Sequence, residues 1–239
     1  MNSALVFGVG ASNGLGAAIA RRFAKEGLHT VVAGRSQDKL DKVCAEINAA
    51  GGTSSAHVAD ATVASEVQAA VDATAALGTL EAVICNVGNN RPLSFNDLTE
   101  EIFEQFWRTC TLSGFLAAKA ALPALVENGG SLLFTGASAS LRGRPGFAHF
   151  SAAKAGLRNM AQAVAKEYGP QGVHVGHVVV DGVINGELVR NAFGEYLDNL
   201  GPDGSLEPDA IAEAFWQLHQ QPRNAWTFEL DIRPFKESW

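Results

Sequence analysis

The sequence is poor in the features that would tie it to a membrane, a nucleic acid or an oxidising compartment. It has three cysteines, Cys44, Cys85 and Cys110, set singly among apolar neighbours. They form no paired ligand spacing, so no metal site is expected and buried free thiols in a reducing compartment are the simplest reading. Net charge is −7 and no block of Lys or Arg interrupts the chain, which leaves no electrostatic footprint for a polyanion. No apolar stretch approaches the roughly 18 residues of a bilayer span, and the first apolar run has no charged leader before it. The expectation is a cytoplasmic protein with neither nucleic acid nor membrane as partner.

What is present is length enough for one sizeable core and a regular alternation of patterns. The 239 residues are 47% hydrophobic, which suits a single α/β domain over 1–239. Short apolar or β-branched runs at 4–9, 29–33, 54–58, 80–85, 131–135, 173–180 and 226–230 read as strands. Helical periodicity covers 15–26, 37–50, 64–77, 98–126 (one or two helices), 148–168 and 208–219. Seven strands with helical crossovers predict a doubly wound parallel sheet, Rossmann-like, without repeat or linker.

The first sixteen residues carry the sharpest signal. A buried-type strand ends in glycines at 8, 10, 14 and 16, and the pattern turns helical from Leu15. Strand, glycine-rich turn and helix together offer free backbone N–H groups and a helix N-terminus to a phosphate. In this reading Gly10 permits the tight turn and Gly14 lets the backbone approach a pyrophosphate. Gly16 lets the helix pack close to the strand. The spacing is G-x-x-x-G-x-G, and taken alone it also fits an ordinary glycine-rich loop. After the second strand stand Gly34, Arg35 and Ser36, where an acidic residue would favour NAD. Arg35 can grip a 2′-phosphate with its planar fork and Ser36 can add a bond beside the next helix. NADP(H) is therefore the expected cofactor, with NAD(H) possible.

Along nearly its whole length the chain resembles the short-chain dehydrogenase/reductase family. The resemblance rests on the loop Gly10–Gly16, preceded by Val9 where Thr is usual, and on Asp60 ending the third strand. It rests further on Asn86-Val-Gly88, on Lys154 closing Phe150-Ser-Ala-Ala-Lys154, and on Asp181-Gly182 where Pro-Gly is typical. It implies cofactor contacts from Gly10, Ser12, Asn13, Gly14, Leu15, Gly16, Arg35, Ser36, Asp60, Ala61, Asn86, Gly88, Lys154 and Val183. It also implies a small-molecule substrate under a lid-like insertion at about 183–206, and a homodimer or homotetramer.

Catalysis is where the chain departs from that family. There a Tyr exchanges the proton, a Lys lowers its pKa, a Ser orients the substrate oxygen and an Asn holds a relay water. Here Lys154 is retained, but Phe150 stands at the Tyr position, Ala137 at the Ser position and Thr111 at the Asn position. Ser138, one residue off register, is the remaining hydroxyl candidate beside Lys154. His149 is expected to be packed or on the surface, and His174 and His177 to be structural. Two function classes follow: an NADP(H)-dependent oxidoreductase of small carbonyls or alcohols with an altered proton-transfer site, or an NADP(H)-binding protein with little turnover.

Overall fold

The computed structural model describes residues 1–238. Its seven strands are β1 (Asn2–Phe7), β2 (His29–Gly34), β3 (Ser54–Val58), β4 (Thr79–Cys85), β5 (Gly130–Thr135), β6 (Val173–Val180) and β7 (Glu229–Ile232). They form one sheet in the order β3-β2-β1-β4-β5-β6-β7, and every pairing is parallel. The helices are α1 (Leu15–Lys25), α2 (Gln37–Ala49), α3 (Ala64–Ala75), α4 (Glu100–Trp107), α5 (Ser113–Asn128), α6 (Ala148–Tyr168), α7 (Glu187–Leu200) and α8 (Pro208–His219). The fold is a single Rossmann-like α/β domain.

Strands buried on both faces read as continuous apolar runs, and β1, β4, β5 and β6 do so. Alternation along them then sorts side chains to two cores. One core packs Ala4, Val6 and Val32 against α1, α2 and α8, through Ile19, Phe23, Leu40 and Phe215. The other packs Leu5, Phe7 and Val83 against α3, α5 and α6, through Val67, Ala121, Leu125 and Leu157. The strand order reverses between β1 and β4, and a doubly wound sheet opens its crevice at such a switch point.

Two expectations need correction. The last strand begins three residues later than 226, because Trp226 and Thr227 are captured elsewhere. Trp226 Nε1 donates to the Gln221 carbonyl at 3.2 Å and the Thr227 N–H donates to Gln221 Oε1 at 2.7 Å. The run Glu100–Asn128 is, by length and composition, long and apolar enough to cross a membrane. Half of its most apolar window is buried, with Ala117, Ala121 and Leu125 packed in the core below the sheet.

Candidate active site

The glycine loop joins the end of β1 to α1, and three of its glycines have separate physical reasons. Gly8, at φ +83°, makes the tight turn, and a Cβ there would lie 2.4 Å from the Asn86 carbonyl oxygen. The turn expected of Gly10 thus belongs to Gly8; Gly10 has no positive φ and faces open space. Gly14 is the N-cap of α1, with no side chain over the helix end. The first N–H groups of an α-helix lack intrahelical partners, so those of Leu15, Gly16 and Ala17 are available to an oxyanion. A Cβ on Gly16 would sit 2.7 Å from the Gly8 carbonyl oxygen and 3.1 Å from Asn86 Nδ2. Its absence brings α1, β1 and β4 together at the crevice.

The other cofactor candidates divide. Arg35 and Ser36 are exposed at the end of β2, and Val9 N–H donating to the Ala33 carbonyl at 3.0 Å holds that end beside the loop. Asn86 is fixed from both sides: Nδ2 donates to the Gly8 carbonyl at 3.4 Å and Oδ1 accepts from Thr135 Oγ1 at 2.9 Å. Asp60 is partly committed. Its Oδ1 accepts from the Thr62 N–H at 2.8 Å and hydroxyl at 2.7 Å, and its own N–H donates to Glu66 Oε2 at 2.7 Å. The Thr62 backbone bond, foremost, holds its carboxyl below the usual range. Ala61 is buried beside it. The Ser12 hydroxyl donates to Glu46 Oε2 at 2.5 Å. The Asn13 carbonyl accepts the Glu187 N–H at 3.0 Å, so the start of α7 rests on the loop. Val183 pairs its carbonyl with the Leu206 N–H at 2.8 Å, closing the base of the segment that carries α7.

Lys154 lies on α6 at 4% exposure, with Nζ donating to the Thr135 carbonyl at 2.8 Å. A Cβ on Gly88 would stand 3.2 Å from that ammonium, so Gly88 leaves its space. Phe150 precedes Lys154 by one turn and its ring centroid is 5.9 Å from Nζ. It packs with Phe106, Cys110 and Ala153, and Ala137 and Ala139 close the same apolar cluster. Ser138 opens the short 3-10 turn Ser138–Ser140. Ala137 and Ala139, which flank it, pack against the cluster that holds Phe150. Thr111 sits in the π-helical turn Arg108–Leu112 between α4 and α5, and its hydroxyl donates to the Ala153 carbonyl at 2.6 Å. Such π-bulges recur at functional sites; here one docks onto α6 beside Lys154.

His149 is 1% exposed, edge-on to Phe106 with ring centroids 4.2 Å apart. Burial holds its pKa below the ordinary value. His177 is fully buried under α6, its Nδ1 3.0 Å from Glu229 Oε2, and burial pushes its pKa down to about 4. Arg158 reaches the same carboxylate with two bonds, of 2.5 and 2.8 Å. Asp181, at the family's Pro position, pairs with Arg142 at 3.1 Å and Arg233 at 3.5 Å. Sequence reasoning missed Glu46, Glu229 and Arg142. Each meets its partner across 34 or more residues, and no local spacing signals such pairs.

Residues 4–196 match the family described as short chain dehydrogenase. A crystal structure of a short-chain dehydrogenase from Rhodopseudomonas palustris is 37% identical, with a TM-score of 0.85 over 98% of this chain and 99% of that one. The 2,5-dichloro-2,5-cyclohexadiene-1,4-diol dehydrogenase LinX of Sphingobium indicum is 34% identical over 184 residues, 76% of this chain and 73% of that protein. A metagenomic short-chain oxidoreductase solved in complex with NADP is 26% identical, with a TM-score of 0.82 over 98% and 97% of the two chains. With its parallel sheet, its glycine loop at the strand switch point and its Lys on α6, the chain belongs to the short-chain dehydrogenase family of NAD(P)-dependent oxidoreductases.

Proposed function

We propose that the protein is an NADP(H)-dependent oxidoreductase acting on a small carbonyl or alcohol, with a proton-transfer site that lacks the family's Tyr and Ser. The observation that carries the cofactor choice is the end of β2, where Arg35 is exposed beside the glycine loop and no carboxylate stands at Gly34, Arg35 or Ser36. The residues fit the cofactor's chemistry: an uncapped α1 N-terminus for phosphate, Arg35 for a 2′-phosphate, and Lys154 at the ends of β4 and β5. When bound, the nicotinamide supplies or accepts a hydride. Lys154 spends one N–H on Thr135, and an ammonium has three, so two remain for a sugar or substrate oxygen. Phe150 and Ala137 exchange no proton, which leaves proton exchange to Lys154, Ser138 or solvent.

Calorimetric titration should show NADPH binding at least tenfold more tightly than NADH, since one charge-assisted bond is worth roughly 1.5–3 kcal/mol. Arg35→Ala should erase that preference while leaving NADH affinity nearly unchanged. Equal wild-type affinities, or a preference that survives in Arg35→Ala, would remove the argument. The packing of Phe150 in an apolar cluster favours a second reading, an NADP(H)-binding protein with little turnover.

A further inference from the structure

Glu46 belongs to no motif, yet its carboxylate is bonded to the glycine loop. It lies on α2, 37% exposed, with Oε2 accepting the Ser12 hydroxyl at 2.5 Å. Arg21 Nη1 stands 3.5 Å from the same oxygen and donates to the Ser12 carbonyl at 2.9 Å. Arg21 also faces Asp209 at 3.8 Å. Arg21, braced against the loop, is thus shared between two carboxylates. This arrangement opposes what the loop otherwise offers. The N-terminus of α1 favours an anion through its open N–H groups and its dipole. A carboxylate hydrogen-bonded within that loop repels a phosphate, and it occupies the hydroxyl proton that Ser12 could give to one.

We propose that Glu46 is a built-in competitor for the cofactor phosphate at the glycine loop. It lowers NADP(H) affinity by its charge and by holding the Ser12 hydroxyl. The proposal rests on the cofactor reading above and adds a residue that sets affinity from outside the motif. Two phosphates are candidates for the displaced role, the pyrophosphate and the 2′-phosphate, and comparing cofactors separates them.

The test is calorimetric titration of NADPH and NADH into the full chain as wild type, Glu46→Gln, Glu46→Met, Ser12→Ala and the Glu46→Met/Ser12→Ala double variant. Glu46→Gln removes the charge but keeps an acceptor, so affinity should rise roughly threefold. Glu46→Met also frees the hydroxyl and should gain roughly tenfold. Adding Ser12→Ala to Glu46→Met should cancel the difference between those two gains. A gain on both cofactors identifies the pyrophosphate as the competing group, and a gain confined to NADPH identifies the 2′-phosphate. Unchanged or weaker binding in both Glu46 variants, with unaltered melting, overturns the proposal and makes Glu46 a brace for the loop. If wild type binds NADPH and the variants match it, only the competition fails. If neither wild type nor Glu46→Met binds either cofactor, the cofactor reading fails with it.

Discussion

Restoring a phenol and a hydroxyl at positions 150 and 137 should raise turnover of an activated carbonyl by roughly 10² or more. Phe150 is 9% exposed, one turn before Lys154, with its ring 5.9 Å from the ammonium. Phe150→Tyr adds one oxygen at the far edge of the same ring. A buried hydroxyl lacking a partner costs roughly 1–3 kcal/mol, so the single variant should fold with a lower melting temperature. The Lys154 ammonium has donors beyond the one given to Thr135, and a cation beside a phenol favours its ionised form. Ala137 packs against the same cluster as Phe150, so Ala137→Ser puts its hydroxyl on the side where the phenol arrives. General acid–base catalysis contributes 10² to 10⁴, or roughly 3–5 kcal/mol. The double variant should recover at least the lower figure. Each single variant should recover less, because an unoriented substrate oxygen wastes the new acid. The assay is single-turnover NADPH oxidation by wild type, both single variants and the double variant on one carbonyl panel. NADPH affinity, measured alongside, should hold within about threefold, since neither side chain lies at the glycine loop. A wild type as fast as the double variant would refute the reasoning, since another group would then supply the proton. Four inactive proteins that all bind NADPH would favour the binding-protein reading.

Gly16→Val should abolish NADPH binding in a titration, because its Cβ would meet the Gly8 carbonyl oxygen at 2.7 Å and push α1 off the strand. Stability should fall by roughly 1–3 kcal/mol in urea melts, and undiminished binding would mean that the loop serves only as a turn. Acid should destabilise the protein through His177 and His219, each held at about 4 in the fold by burial. Both pKa values are depressed below the unfolded 6.5, so the fold favours the neutral ring. That stability is whole above pH 6.5 and is lost as pH falls toward 4, by roughly 2–3 kcal/mol per histidine at pH 4.5. Urea melts of wild type and His219→Gln at pH 7.5 and 4.5 check it; an equal acid loss in both proteins would show that His219 contributes nothing.

The fold was legible because its signals are local. Strands buried on both faces declare themselves as apolar runs, and β4 and β6 fall within one residue of their expected limits. The glycine loop was legible in position but not in detail. G-x-x-x-G-x-G shows that backbone must approach something, yet only the register of β1 against β4 shows that Gly8 makes the turn against Asn86. Likewise Ser12 reads as a cofactor contact in its motif, and its engagement by Glu46 depends on how α2 packs beside α1. The β7 boundary failed for a related reason. Trp226-Thr-Phe looks like strand by composition, but the Gln221 side chain takes the backbone bond a strand would have used.

The least expected feature of the site is the burial of Lys154 beside an apolar cluster. It is 4% exposed and makes one hydrogen bond, to a carbonyl, with no carboxylate paired to it among the described residues. A buried charge without a counter-ion is costly, and replacing such groups by well-packed apolar side chains is often neutral or stabilising. Around Lys154 the neighbours are apolar: Phe150 and Ala137 share one apolar cluster with Phe106, Cys110 and Ala153. Yet the chain keeps the ammonium, leaves Gly88 bare beside it and fixes Thr135 to receive it. An ammonium retained against its own burial cost, with two N–H groups unspent, is what the proposed cofactor site would require. The proposed reading, a cofactor pocket that lacks the family's usual proton donor, accounts for that retention.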